Sequence, residues 1–320
     1  MKTFASGLDE QFLVEDFEPA YKRTWREGQL SGKVDAARRE LADCRACPRD
    51  CGVDRMNDER AICHIGRHAH VASAFAHFGE EDCLRGQRGS GTIFFSYCNL
   101  KCVFCQNWDI SSMGSGRETP AAGIAGLMLQ LQEAGCHNIN FVTPEHVAPQ
   151  LVEAIAVAVP GGLEIPIVYN TSAYDAVSSL RLMDGLIDIY MPDFKVWKTE
   201  TARRLLRAAD YPAAARAALT EMHHQVGVLR FGVDGLARRG VLVRHLVMPG
   251  LIDESSAVFG WLHDELSSDT YVNIMGQYRP DHRVRQSPRY ADIDRPTRGD
   301  ELTAAFVAAR DAGLWRFDRR

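Results

Sequence analysis

Two periods of hydrophobic residues alternate along most of this chain. Ile124, Leu127, Met128 and Leu131 recur at i, i+3, i+4 and i+7, the apolar stripe of an amphipathic helix. Short apolar runs at 92–96, 138–142, 165–169, 186–190, 241–247 and 271–275 have strand length. Between them, helices are predicted over 151–159, ending at Pro160-Gly161-Gly162, and over 176–183 and 200–209. A further helical seam joins Ala215, Leu219, Met222, Val226 and Leu229, and Ser255 is read as the cap of a helix running to about Leu266. Six strands with intervening helices predict an α/β protein with a parallel sheet. Residues 1–43 read as a helical lead-in, interrupted at Gly28, Ser31 and Gly32, and residues 286–320 as a helical tail.

The chain has 320 residues, 46% hydrophobic and 25% charged, which suits one large α/β barrel with a small appendage. A net charge of −5 argues against nucleic acid and membrane surfaces as general partners. No apolar run reaches the ~20 residues needed to span a bilayer. The first ten residues lack the apolar core of a signal peptide, so a cytoplasmic protein is expected. There are nine cysteines, and their clustering points to metal rather than to disulfides.

Three of them, Cys98, Cys102 and Cys105, stand in a short loop after the strand at 92–96. Three thiolates can hold three irons of a 4Fe–4S cube, which normally takes four. The open iron could then bind and activate a small molecule. A structural zinc knuckle is the alternative, but zinc prefers four ligands and no fourth partner stands beside this group. Cys44, Cys47, Cys51 and Cys63 form a second group, with Pro48 and Gly52 among them. Such a loop needs a staple, either a fully ligated second 4Fe–4S cluster or a four-thiolate zinc site. His64, His68, His70 and His77 lie near enough to replace a ligand. Glu80 and Glu81 form either a solvated face or part of a substrate pocket, while Gly86, Gly89 and Gly91 complete no phosphate motif.

The chain resembles the radical SAM superfamily, in the branch related to pyruvate formate-lyase activating enzyme. The resemblance runs from about residue 44 to 285. It is carried by Cys47-Pro48-Arg49-Asp50-Cys51-Gly52-Val53, by His77-Phe78-Gly79-Glu80-Glu81 and by Cys102-Val103-Phe104-Cys105-Gln106-Asn107-Trp108. Asn138 to Pro144 and Asn273 to Tyr278 extend it. It implies an open, partial (β/α)6 TIM-like barrel over 91–285, preceded by a Cys-rich metal-binding segment at 44–90. It also implies an enzyme whose 4Fe–4S cluster, on Cys98, Cys102 and Cys105, binds S-adenosylmethionine. Reductive cleavage would release a 5′-deoxyadenosyl radical that abstracts hydrogen from a substrate the resemblance does not name.

By the same resemblance Phe104 lies against the adenine. Glu145 takes the place of the acid that holds the cofactor's amino group, although Thr143 and Pro144 replace the usual glycines. Asn170 reaches the ribose hydroxyls. Asp193 and Lys195 match an Asp-x-Lys element, and Arg244 pairs with the cofactor carboxylate or with Asp193. An electron donor such as flavodoxin or ferredoxin is implied. The rival readings are a glycyl-radical activase and, further off, a non-enzymatic iron–sulfur carrier or scaffold. Glu145 also suits a plain helix N-terminus, and Asp193/Lys195 an exposed ion pair. Cys136 is read as core, while Cys83 and residues 314–320 are assigned no role.

Overall fold

A computed structural model describes residues 9–318. Ten strands form one mixed sheet: β1 (Ala69–His77), β2 (Ser90–Phe95), β3 (Arg117–Thr119), β4 (Ile139–Val142), β5 (Ile167–Thr171), β6 (Ile189–Pro192), β7 (Arg230–Phe231), β8 (Ala237–Leu246), β9 (Tyr271–Met275) and β10 (Arg316–Phe317). Their order is β10-β9-β8-β6-β5-β4-β2-β1-β3, with β7 paired to β8 outside this path. From β2 through β10 the pairs along the path are parallel, and β1 and β3 join antiparallel at one edge. The sheet does not close on itself, as expected for a partial barrel.

The alternation of side chains along the strands divides the sheet's two faces. Ile93, Phe95, Ile139, Phe141, Ile167, Tyr169, Val241 and Val243 enter the main core with the helices. Val168, Ile189, Met191 and Leu242 point the other way and pack with Cys83, Leu84 and Phe231. Polar residues share that inner face. Thr92, Asn140 and Asn170 are buried on it, and Asp193 and Arg244 face each other where β6 and β8 end.

Several elements differ from the expectation. β1 is a strand the hydrophobic pattern does not predict, because Ala, Ser and His alternate in it and leave no clear apolar face. The tail holds the helix Gly299–Asp311, yet it ends in β10, which extends the sheet beside β9. Ser31 and Gly32 lie inside the helix Leu30–Ala42, so Gly28 alone makes the break, with φ of 72°. Ser255 is not a cap. It lies inside the helix Ile252–Trp261, its Oγ 2.8 Å from Nε2 of buried His245. Leu229 falls beyond the helix Tyr211–Val226. Cys136 is buried, as expected of a core residue. Among the described residues no helix is long and apolar enough to cross a membrane. Residues 1–8, most of the N-terminal stretch read for a signal peptide, and Arg319 and Arg320 lie outside the described residues.

Candidate active site

The loop carrying Cys98, Cys102 and Cys105 leaves the C-terminal end of β2. It is held by main-chain bonds from Lys101 N to Leu206 O (3.2 Å) and from Val103 N to Leu205 O (2.9 Å). Lys101 Nζ also donates to Cys98 O at 3.0 Å, closing the turn. Cys102 and Cys105 act on Cys98, and Cys105 acts on Cys102, as close neighbours do. Burial pushes the Cys102 thiol up to about 12, against the pull of Lys195. Burial, then Glu145, push Cys98 up as well. Such thiols are costly to ionise alone and become ligands where a metal supplies the balancing charge. Phe104 is buried in the same loop, its ring 6.0 Å from that of Tyr278.

The neighbouring strand ends converge on this loop. Glu145 is fully buried, and its Oε1 accepts from Ser172 Oγ at 2.5 Å. Its Oε2 has no hydrogen-bond partner among the described residues. Burial raises this carboxyl, while Ser172 and Lys195 oppose. A buried acceptor without a donor is costly, and an amino group would relieve it.

At the ends of β6 and β8 a charge network is complete. Asp193 accepts from Lys195 Nζ at 2.6 Å and from Arg244 Nε at 2.7 Å, and Arg244 Nη2 donates to Asn170 Oδ1 at 2.8 Å. Burial would raise Asp193, but Arg244 and Lys195 together hold its carboxyl at about 2. Arg244 is thus paired with Asp193, one of the two partners expected for it. Lys195 is paired in the same way and is not an exposed ion pair, since its side chain is 18% exposed. Tyr211 locks the turn, accepting from Lys195 N at 2.9 Å and donating to Asp193 O at 2.7 Å.

Glu80 and Glu81 are buried and form no solvated face. Arg244 Nη1 lies 3.9 Å from Glu80, and Asn273 Nδ2 donates to Glu81 Oε1 at 2.8 Å. Burial and the Glu80 charge raise Glu81, against the pull of Arg244. Glu80 stays low despite burial because His77 and Arg244 face it. Asn140, fully buried on the inner face, has no partner for either polar side-chain atom among the described residues.

One feature of the site left no trace in the composition. Tyr97, Thr143 and Ala173, each just past a strand end, have φ of 66°, 60° and 60°. For a β-branched or bulky residue this conformation is a true outlier, and such strain concentrates at functional sites. Thr143 therefore keeps the left-handed backbone that a glycine would supply at its position. No motif reveals this, because the residues are not glycine.

The second thiol group also comes together. Cys44, Cys47, Cys51 and Cys63 line one narrow pocket with Arg49, Arg55 and Asn99, and no histidine lines it. The loop closes on itself through Cys44 N to Val53 O (3.0 Å) and Gly52 N to Cys44 O (2.9 Å). Arg55 is buried, donating from Nη2 to Cys63 Sγ at 3.0 Å and from Nη1 to His146 O at 2.7 Å. Among the described residues, no three His, Cys, Asp or Glu side chains are grouped to hold a single metal ion. A 4Fe–4S cube presents a separate iron to each thiolate and does not ask them to meet at one point.

No family model matches the chain. Solved structures that it resembles include HydG, a maturase of the [FeFe]-hydrogenase, with a TM-score of 0.49, 14% identity and coverage of 70% of this chain and 50% of that one. Streptococcus suis SuiB bound to S-adenosylmethionine has a TM-score of 0.45 and 11% identity over 69% of this chain and 47% of that one. The chain spans about half the length of these structures. In sequence it is 30% identical over 292 residues to the uncharacterized protein MJ0674 of Methanocaldococcus jannaschii, covering 89% of this chain and 79% of that protein. Its CxxxCxxC loop stands at the strand ends of an open parallel βα sheet, and the chain belongs to the family of MJ0674.

Proposed function

We propose that the protein is a radical SAM enzyme that abstracts hydrogen from a substrate held on the inner face of the open barrel. The observation that carries this reading is the unpartnered Oε2 of buried Glu145 beside the three-thiol loop. It offers an acceptor for an amino group where three thiolates would leave one iron open. The donor set fits the cofactor pair. Cys98, Cys102 and Cys105 would hold a 4Fe–4S cluster. Glu145, Thr143 and Asn170 would position S-adenosylmethionine, with Phe104 toward its adenine. When bound, that pair supplies a 5′-deoxyadenosyl radical by reductive cleavage of the sulfonium.

The chain's own residues then position and exclude water. Asp193, Lys195 and Arg244 brace the strand ends as one ionised unit, so that Lys195 stays charged beside Cys102. Glu80, Glu81, Asn140 and Asn273 make the inner face polar, which suits a substrate bearing hydrogen-bond donors.

The test is 5′-deoxyadenosine release from S-adenosylmethionine by anaerobically reconstituted, reduced protein, beside Cys102→Ala. Product in the parent and none in the variant is expected. No product in a parent with iron confirmed on the three-thiol loop, when offered cell-extract metabolites as well as cofactor alone, would overturn the reading.

A further inference from the structure

We infer that Cys44, Cys47, Cys51 and Cys63 hold a second 4Fe–4S cluster that relays electrons to the three-thiol loop. The spacing favours a cluster over zinc. Structural zinc sites usually draw their ligands as two close pairs. Here three thiols lie within eight residues, 44–51, and the fourth comes alone at Cys63. That three-plus-one arrangement is the ferredoxin pattern. The four side chains line one pocket with no histidine, so the donor set is all sulfur. Arg55 points into the pocket with an N–H on Cys63 Sγ at 3.0 Å. It is 1% exposed, no carboxylate lies within ion-pair distance of it among the described residues, and only Glu40 acts on it from further off, so a closer anion would be favourable. Thiolates carrying a metal cluster would give it that anion, and N–H···S bonds tune a cluster's potential.

The relay half rests on the proposed function of the three-thiol loop and on a shared wall between the two sites. Asn99, which follows Cys98, lines the second pocket. Its Oδ1 is 3.8 Å from Cys98 Sγ, and it lines that pocket together with Cys47. Arg49 Nε donates to Asn99 O at 2.9 Å, tying the four-cysteine loop to the same residue. On the other side, Arg55 binds His146 O, and the His146 ring binds Ser96 O at 3.0 Å. Ser96 stands two residues before Cys98. The four-cysteine loop is thus joined through single residues to the chain on both sides of Cys98. One electron passes from a reduced flavodoxin- or ferredoxin-type donor to the second cluster, and from it to the first. The donor is oxidised, the first cluster is reduced, and no bond forms or breaks.

The test uses the full chain, reconstituted anaerobically with iron and sulfide. About eight irons per chain are expected for the parent, four per cube. The triple variant Cys98→Ala/Cys102→Ala/Cys105→Ala is expected to keep about four, with the EPR signal of a reduced cube. It leaves the second loop intact, so it stays informative even where Cys47→Ser fails to fold. A triple variant that binds one zinc, or no metal, overturns the second cluster and leaves the proposed function standing. A parent with about four irons, all retained by the triple variant, overturns the three-thiol site instead.

For the relay, Cys47→Ser is compared with the parent in 5′-deoxyadenosine formation. With reduced flavodoxin the rate is expected to fall at least about tenfold. With dithionite, a small reductant that reaches the first cluster directly, it should hold within about twofold. Equal loss with both reductants in a folded variant, or no loss with either, would overturn the relay.

Discussion

The two thiol groups are built in opposite ways. The three-thiol loop grows from the end of a buried strand, and the backbone around it is strained. Tyr97, Thr143 and Ala173 all have positive φ, on residue types that resist it. The four-thiol loop is irregular, and its region is relaxed. Positive φ there falls on Asp50, Gly52, Asp58 and His64, types that tolerate it well. Strain costs stability and persists where the surrounding structure over-determines it. The contrast assigns different work to the two groups. On the proposed function, close positioning of a reactant belongs at the strained one. On the inference of a second cluster, holding a closed unit, with Arg55 against it, belongs at the relaxed one.

The largest expected effect lies on the strained side. Cys102→Ala should lower 5′-deoxyadenosine formation by about a thousandfold or more, roughly 4 kcal/mol of activation free energy. Product quantified by chromatography from equal iron-loaded protein checks this. A loss of under tenfold would erase the distinction between the two groups.

Arg55→Met probes the other side. It leaves His146 O without its donor and Cys63 without its N–H, in a buried place. A loss of about 2–4 kcal/mol in unfolding free energy is expected from urea titration. Iron should be lost from the four-cysteine loop first, while the three-thiol loop keeps its share. Equal loss from both would show that the shared wall fuses them into one unit.

A third prediction concerns how the lead-in is attached. Asp188 is buried, and its carboxylate accepts from Ala20 N at 2.8 Å and Ile167 N at 2.9 Å. It thereby joins the start of the helix Ala20–Arg26 to the sheet. Burial raises its carboxyl to about 7, against the pull of these two N–H groups. The folded state therefore holds this proton more tightly than the unfolded chain, whose group titrates near 3.8. Its contribution to stability is full below that lower value and is lost as pH rises through about 7. Unfolding free energy measured from pH 5 to 8 should decline with pH in the parent and flatten in Asp188→Asn. An unchanged slope in the variant would remove Asp188 from the account.

How legible this was from the chain differs between the same two regions. Cys98, Cys102 and Cys105 stand out by spacing, and Asp193, Lys195 and Arg244 by the family resemblance of the strand ends they occupy; the structure brings these last three together. The parallel βα order followed from the alternation of periods. β1 escaped because small residues fill its pattern, and β10 because two residues carry no period. The burial of Glu80 and Glu81 could not be read, since a charge pair gives no sign of the Arg244 and Asn273 that face it. Arg55 and His146 were invisible for the same reason: their bonds link positions 91 residues apart. Residues that act through distant partners leave no local pattern.

Thr143 offers the smallest effect and the sharpest test of strain. A left-handed backbone costs an ordinary residue roughly 1–2 kcal/mol. Glycine removes that cost but adds about 0.5–1 kcal/mol of chain entropy to the unfolded state. Thr143→Gly should therefore stabilise the protein by under about 1 kcal/mol in thermal or urea unfolding. The hydrogen bond from Thr143 N to Asn170 O, 2.9 Å, fixes the turn in either case. If only the backbone shape matters, 5′-deoxyadenosine formation stays within about twofold of the parent. A gain in stability with a tenfold loss of activity would show that the Thr143 side chain contacts the cofactor or substrate. The strain would then be the consequence of placing that hydroxyl, and the three-thiol side would differ from the four-thiol side in side chains as well as in backbone.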